Sequence, residues 1–322
     1  MNCELPSSVE MEDVSCPNGC LEDDKILFSS CDRLHGLPGE FNIVRCTVCG
    51  LMRTNPRPTQ ETIGYYYPVD YGPFQSTVLK EFVKEKQAPS KLKRRASNFF
   101  KYKVDVTPVL KPGRMLEIGC ASGKFLHRME QRGWVVEGIE YSPDAAKNAK
   151  ALGYSVHVGP VETAPEPELK YDLFVGWMVL EHLHEPLKVL NKLYRWANPD
   201  AYLVLSVPNA ASKEFLIFNK AWYALQLPTH LYHFTPDSLT LLLENSGWEV
   251  VQISHQRVLS NLFPSIGYKL EDLGIAKRLS KRLIEFNKNP GRMNQLLYPL
   301  AFLFAKLGQT GRMTIWAKRI DN

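Results

Sequence analysis

Between residues 110 and 255 the hydrophobic pattern switches repeatedly between two periods. Alternating or continuous apolar runs, RMLEIG, WVVEGIE, YSVHVG, YDLFVGWM, AYLVLSVP and WEVVQIS, read as strands. Between them, apolar residues recur at helical spacing over roughly 123–132, 143–152, 185–197 and 236–246. A last strand-like segment, GRMTIWAKR, occupies 311–319. Strands alternating with helices build a mostly parallel sheet covered by helices. The expected fold class is therefore α/β: a doubly wound, Rossmann-like sheet of seven strands. Residues 262–307 read as helices interrupted by NKNPGR, inserted before the last strand. Residues 1–70 are rich in Cys, Pro and Tyr and show little helical pattern, and 78–103 read as a basic helix broken near Pro89. The expected division is an N-terminal segment 1–75, a basic linker 76–109 and an α/β domain 110–322.

Composition narrows this picture. A chain of 322 residues that is 44% hydrophobic can bury a sizeable core. The net charge of +5 is too small to call for nucleic acid by itself. The first residues lack the basic and apolar regions of a signal peptide, and no apolar run is long enough to span a bilayer. A cytoplasmic location is expected. Two stretches leave room for contact with the inner face of a membrane: the cationic KLKRRASNFFKYK and the apolar LLYPLAFLFAKLG. Each has a plainer alternative, a solvated helix face for the first and a buried or dimer-forming helix for the second.

The chemistry concentrates in GRMLEIGCASGKFLHRMEQRG, residues 113–133, a strand, a Gly/Ser turn and a helix. Such a turn places a ligand at the carboxyl end of the first strand, against the helix N-terminus. A dinucleotide fingerprint from Gly119 requires glycine at 121 and 124, where the chain has Ala121 and Lys124. A phosphate-binding loop requires four residues between its glycines and Ser or Thr after its lysine. Here three intervene and Phe125 follows. The remaining reading is an S-adenosylmethionine site. Glu117 would meet the ammonium of a methionine moiety, and Gly119 and Gly123 let the backbone approach a ligand. Glu140, 21 residues beyond Gly119 at the end of the next strand, would accept hydrogen bonds from ribose hydroxyls.

MLEIGCASGKFL, VEGIEYSPDAAKNA, YDLFVGWMVLEHLHEP, AYLVLSVPN and HLYHFTPDSL, taken in order, resemble the class I S-adenosylmethionine-dependent methyltransferases over about residues 110–255. The resemblance implies that Glu117, Gly119, Ala121 and Gly123 line the methionine end of the cofactor. Glu140 would hold the ribose, with Tyr141 and Ser142 beside the adenosine. Val161 and Glu162 would border the adenine, and Trp177 would stand near the transferred methyl. The family usually has glycine where this chain has Ala121.

Three histidines are candidates for the base or for positioning the acceptor: His182, in the Glu181–His182 pair after the fourth strand, and His230 and His233 in PTHLYHF. Each also has a structural reading as a brace or turn residue. His184 is expected to be a solvated helix residue, and Asn209 either a turn residue or a hydrogen-bonding group of the site.

Cys16 and Cys20, in CPNGC, and Cys46 and Cys49, in CTVCG, form two close pairs about 25 residues apart. Four thiolates at this spacing suit a structural zinc ribbon, closed and without an open coordination position. RCTVCGLMRTNPRPTQETIGYYYP resembles the N-terminal zinc-binding region of some sugar and surface-glycan methyltransferases. The resemblance implies that this region supports the acceptor site. Tyr65, Tyr66 and Tyr67 would then line its entrance or pack at a junction. The combined expectation is methyl transfer to an oxygen or carbon of a small-molecule, nucleotide-sugar or glycan-like acceptor. The alternatives are an RNA methyltransferase, disfavoured by the lack of an Asn/Asp-Pro-Pro-Tyr/Phe motif after the fourth strand, and a non-catalytic cofactor-binding module.

Overall fold

The computed structural model describes residues 4–21, 24–68, 109–288 and 296–320. The basic segment expected over 78–103, and most of the expected linker, lie outside them. Thirteen strands occur among the described residues. The central sheet comprises β6 (Arg114–Ile118), β7 (Val135–Glu140), β8 (Ser155–Val158), β9 (Tyr171–Trp177), β10 (Ala197–Pro208), β12 (Trp248–His255) and β13 (Arg312–Arg319). Their order across the sheet is β12-β13-β10-β9-β6-β7-β8. Only β13 runs antiparallel to its neighbours. The five strands from β10 to β8 are parallel, and the order reverses at β6, which is where a ligand crevice opens in such sheets.

The strands form where the apolar runs predict them. Leu173, Phe174 and Val175 of β9 and Leu203, Val204 and Leu205 of β10 are buried on both faces of the sheet. Eight helices accompany them among the described residues: α1 (Lys124–Glu130), α2 (Pro143–Ala151), α3 (Pro186–Trp196), α4 (Lys213–Phe218), α5 (Pro236–Glu244), α6 (Leu262–Asp272), α7 (Lys277–Ile284) and α8 (Tyr298–Lys306). The start of α5 is written locally. Thr235 caps it, exchanging hydrogen bonds with Ser238 in a capping box, and Pro236 fills the first turn. In α3, Val189, Leu190, Leu193 and Trp196 form the buried stripe. Among the described residues no helix is long and apolar enough to cross a membrane.

The N-terminal segment is not merely irregular. Its strands β2 (Asp24–Cys31), β3 (Glu40–Cys46) and β4 (Met52–Thr54) form an antiparallel sheet, completed by β11 (Tyr232–His233). Arg53 pairs with Tyr232, and Met52 with His233. Two further short strands, β1 (Met11–Glu12) and β5 (Arg57–Pro58), pair beside it. One apolar cluster runs from Val9, Phe41 and Ile43 through Leu231 and Phe234 to Leu205 under the central sheet.

Arg57 ties these parts at a buried point. Its Nη1 donates to the His184 carbonyl at 2.9 Å and to the Tyr232 hydroxyl at 3.0 Å. Its Nε donates to Glu12 at 2.8 Å. The ring of His184 is buried, with Nε2 3.1 Å from the Pro58 carbonyl, so the expected solvated helix residue is instead part of the junction. The local sequence suggested a solvated helix residue, but His184 lies in the bend before α3, where the N-terminal segment covers it. Arg57→Ala is expected to lower stability by about 3 kcal/mol, since it strands several buried polar partners. Urea unfolding would check this, and a loss below about 1 kcal/mol would contradict it.

Candidate active site

A cavity of about 570 Å³ opens at the carboxyl end of the parallel strands, within the ordinary size range of ligand pockets. One wall is the loop between β6 and α1. Gly119 takes a φ of 69°, and Gly119 N and Cys120 N both donate to the Ile139 carbonyl, at 2.8 and 3.1 Å. A Cβ on Gly119 would come within 2.5 Å of Val179 Cγ2. Gly123, with a φ of 79°, begins α1, and a Cβ there would sit 2.9 Å from that of Ala149. Gly119 is thus required for turn and clearance, and Gly123 for helix packing behind the wall. Ala121 is left-handed at 43°, as are Met178 at 58° and Gln226 at 42°. All three line this cavity, and left-handed non-glycine residues cluster at functional sites.

The acids of this wall are buried. Glu117 is 3% exposed, and its Oε2 has no partner among the described residues. Burial, reinforced by the charge of Glu140, pushes its carboxyl well above the usual range. Glu140 accepts from Ala121 N at 2.8 Å and from Ser142 N at 2.9 Å. Burial raises its pKa as well, against the pull of those amides. Each carboxylate oxygen keeps a second lone pair for a ligand hydroxyl.

Of the residues singled out from the sequence, Glu117, Gly119, Ala121, Glu140, Tyr141, Val161, Glu162, Trp177, His182 and His230 all line the cavity. Ser142 does not; it caps α2 through Ala145 N at 3.3 Å. Asn209 is a turn residue, accepting from Ala211 N at 3.0 Å and donating to the Thr310 carbonyl at 3.1 Å. His233 is buried on β11, where pairing with β4 holds it away from the cavity. Neither of its ring nitrogens has a partner among the described residues, and burial lowers its pKa to about 3.

The opposite wall comes from the N-terminal segment and the two histidine turns. His182 Nδ1 lies 2.9 Å from the Thr229 carbonyl and 3.0 Å from the Tyr67 hydroxyl. His230 Nδ1 lies 2.9 Å from the Ala224 carbonyl. Burial holds both imidazoles neutral, His182 down to about 4 and His230 well below its ordinary value. The three tyrosines part ways. Tyr66 is fully buried and donates to the Pro38 carbonyl at 2.8 Å, Tyr65 is exposed, and only Tyr67 reaches the cavity. Gln226 and Arg312 complete this wall. No local motif announces either; Arg312 lies in the last strand, and only sheet closure brings it here.

Away from the cavity, Cys16, Cys20, Cys46 and Cys49 each place a sulfur within 4.8 Å of the others, and Cys16 Sγ and Cys49 Sγ are 3.5 Å apart. Burial pushes Cys46 up, but N–H groups of Cys49 and Val48 and the neighbouring thiols outweigh it and bring it down to about 7. Tetrahedral zinc thiolates require sulfurs about 3.8 Å apart, so the four donors fit that ion.

A methyltransferase-domain family model matches residues 85–253, and the chain belongs to this family of methyltransferases. A probable S-adenosylmethionine-dependent methyltransferase of Mycolicibacterium smegmatis is 25% identical over 138 residues, 42% of this chain. The match spans 52%, about half, of that relative's length. A ubiquinone biosynthesis O-methyltransferase of Coxiella burnetii is 26% identical over 168 residues, covering 48% of this chain and 72% of that one. Among solved structures, a possible histamine N-methyltransferase of Thermotoga maritima is 18% identical, with 74% of this chain and 97% of that one covered and a TM-score of 0.45.

Gly119→Ala combines a left-handed alanine, costing about 1–2 kcal/mol, with a clash against Val179. S-adenosylhomocysteine affinity is expected to fall at least about tenfold. Calorimetric titration would check this, and unchanged affinity would show that the ligand does not use this loop.

Proposed function

We propose that this protein transfers a methyl group from S-adenosylmethionine to an oxygen or carbon of a small, hydroxyl-bearing acceptor of the nucleotide-sugar or glycan-like class. The observation that carries this reading is the single cavity joining the Glu117–Glu140 wall to the Tyr67–His182–His230 wall. The orphaned Glu117 oxygen suits the cationic end of a methionine moiety, which would pair with it and favour its ionised form. When bound, the cofactor supplies an electrophilic methyl on a sulfonium, open to in-line displacement.

The chain's own residues would do the rest. Glu140 and the left-handed loop fix the adenosine side, and Trp177 and Phe125, edge to face at 5.2 Å, wall off water near the methyl. A carbonyl can only accept, so Nδ1 of His182 and of His230 carries the hydrogen. Nε2 of each then keeps a lone pair for an acceptor O–H. Gln226 and Arg312 add polar contacts suited to hydroxyl or phosphate groups. The similarity to ubiquinone O-methyltransferases supports oxygen as the target. Zinc in the four-cysteine cluster would act structurally, bracing the sheet that carries Tyr67's segment and β4. The exposed Leu296, Leu300, Leu303 and Leu307 support peripheral contact with lipid.

Saturable calorimetric binding of S-adenosylhomocysteine, with none for NADH, is expected, followed by turnover in a screen beginning with nucleotide sugars. In the active assay His230→Ala is expected to lower kcat about 100-fold while S-adenosylhomocysteine affinity stays within about twofold. NADH binding, or an unchanged kcat, would overturn the corresponding assignment. Metal analysis of protein purified without added zinc is expected to find stoichiometric zinc, and its absence would sink the ribbon reading.

A further inference from the structure

Glu181 is fully buried, yet neither of its carboxylate oxygens has a partner among the described residues. An isolated buried carboxyl is costly unless something pairs with it. No ion pair joins Glu181 to Arg312 among the described residues. Two imidazoles stand beside it in a defined tautomer, with Nδ1–H held by the Thr229 and Ala224 carbonyls. Their rings meet edge to face, centroids 4.6 Å apart. Glu181, His182 and His230 each offer one ligand atom, all within 4.8 Å of one another. No hydrogen bond connects the acid to either ring among the described residues, so the cluster is not a hydrogen-bonded acid–histidine pair.

The backbone around the cluster is stitched from three directions. Leu231 N donates to the Glu181 carbonyl at 2.8 Å, and His182 N to the Val179 carbonyl at 2.9 Å. Thr54 Oγ1 donates to the His230 carbonyl at 2.9 Å. The left-handed Met178 turns the chain sharply after β9, so that Glu181 and His182 follow within one 3-10 turn.

We propose that Glu181, His182 and His230 form a second metal site, for a divalent first-row transition cation, opening on the acceptor side of the cavity. Two imidazoles and a carboxylate suit manganese, iron, cobalt or zinc better than calcium or magnesium. Metal-binding histidines ordinarily give their other ring N–H to a carbonyl or carboxylate, as both do here. Bonds of about 2.1 Å require ligand atoms roughly 3–3.5 Å apart, so small side-chain rotations would close the site on an ion. Three protein ligands leave open positions, unlike the closed set of four cysteines.

The inference rests on reading this wall as the acceptor's. An acceptor oxygen in an open position would ionise more readily and release its proton to solvent.

The test uses the full chain as purified, titrated with Mn²⁺ and followed by loss of the free-ion electron paramagnetic resonance signal. Manganese prefers oxygen and nitrogen donors, so the thiol cluster does not compete. One saturable site is expected, with affinity falling at least about tenfold in both Glu181→Gln and His230→Asn. S-adenosylhomocysteine affinity is expected to stay within about twofold in each, which confirms folding. A zinc equivalent beyond the first, present as purified and missing from both variants, would equally support the site. No saturable manganese and no second zinc equivalent would overturn it, as would affinity unchanged in either variant that still binds S-adenosylhomocysteine. Failure of the parent chain to bind S-adenosylhomocysteine would count instead against the methyl-transfer reading, whatever the metal result.

Discussion

The arrangement of the cavity depends on one residue's backbone. Leu231 donates its N–H to the Glu181 carbonyl and accepts from Thr54 N at 2.9 Å. It thereby joins the turn after β9, the turn after β10 and the N-terminal sheet in a single hydrogen-bonded row. Buried backbone groups must be paired somewhere, and here pairing them sets the spacing of His182 and His230. Arg57 and the stacked Tyr232 and Phe234 rings hold the same junction from the far side. The N-terminal segment is therefore structurally continuous with the histidine wall through β3, β4 and β11.

Electrostatically the two walls are alike in an unusual respect. Glu117, Glu140 and, behind them, Glu181 are all pushed up by burial, while His182 and His230 are both pushed down. Desolvation disfavours the charged form of every one of them. Neutral groups with unused lone pairs suit the cations proposed for this site, a sulfonium and ammonium beside Glu117 and a metal ion beside Glu181. Glu117 lines the cavity and Glu181 is buried behind its histidine wall, and both keep carboxylate oxygens without a partner among the described residues. A site already filled with paired charges would have less to gain from either ligand.

The cofactor side of the site was legible because its determinants are local. Glu117, Gly119, Ala121 and Glu140 lie on consecutive strand ends, and the strand–turn–helix pattern brings them together whatever surrounds them. The acceptor side was legible only in part. His182 and His230 could be named as candidates, but not their tautomers, which depend on the Thr229 and Ala224 carbonyls. His233, three residues from His230, looked equivalent to it. Its place on the two-residue strand β11 takes it away from the cavity. Glu181 drew notice only as the neighbour of His182; that it is buried beside two imidazoles follows from the fold alone.

The sequence by itself determined the order of strands and helices, the glycine turn, the capped start of α5 and the pairing of cysteines, because each rests on residues close in the chain. Tertiary structure alone decided that β4 adopts β11 as its neighbour, that His184 is covered, that Tyr67 but not Tyr65 or Tyr66 faces the cavity, and that Arg312 closes it. Those outcomes depend on contacts between segments more than 100 residues apart, such as Thr54 with His230 and Arg57 with Tyr232. Hydrophobic periodicity records which face of an element is buried, but not which distant element buries it.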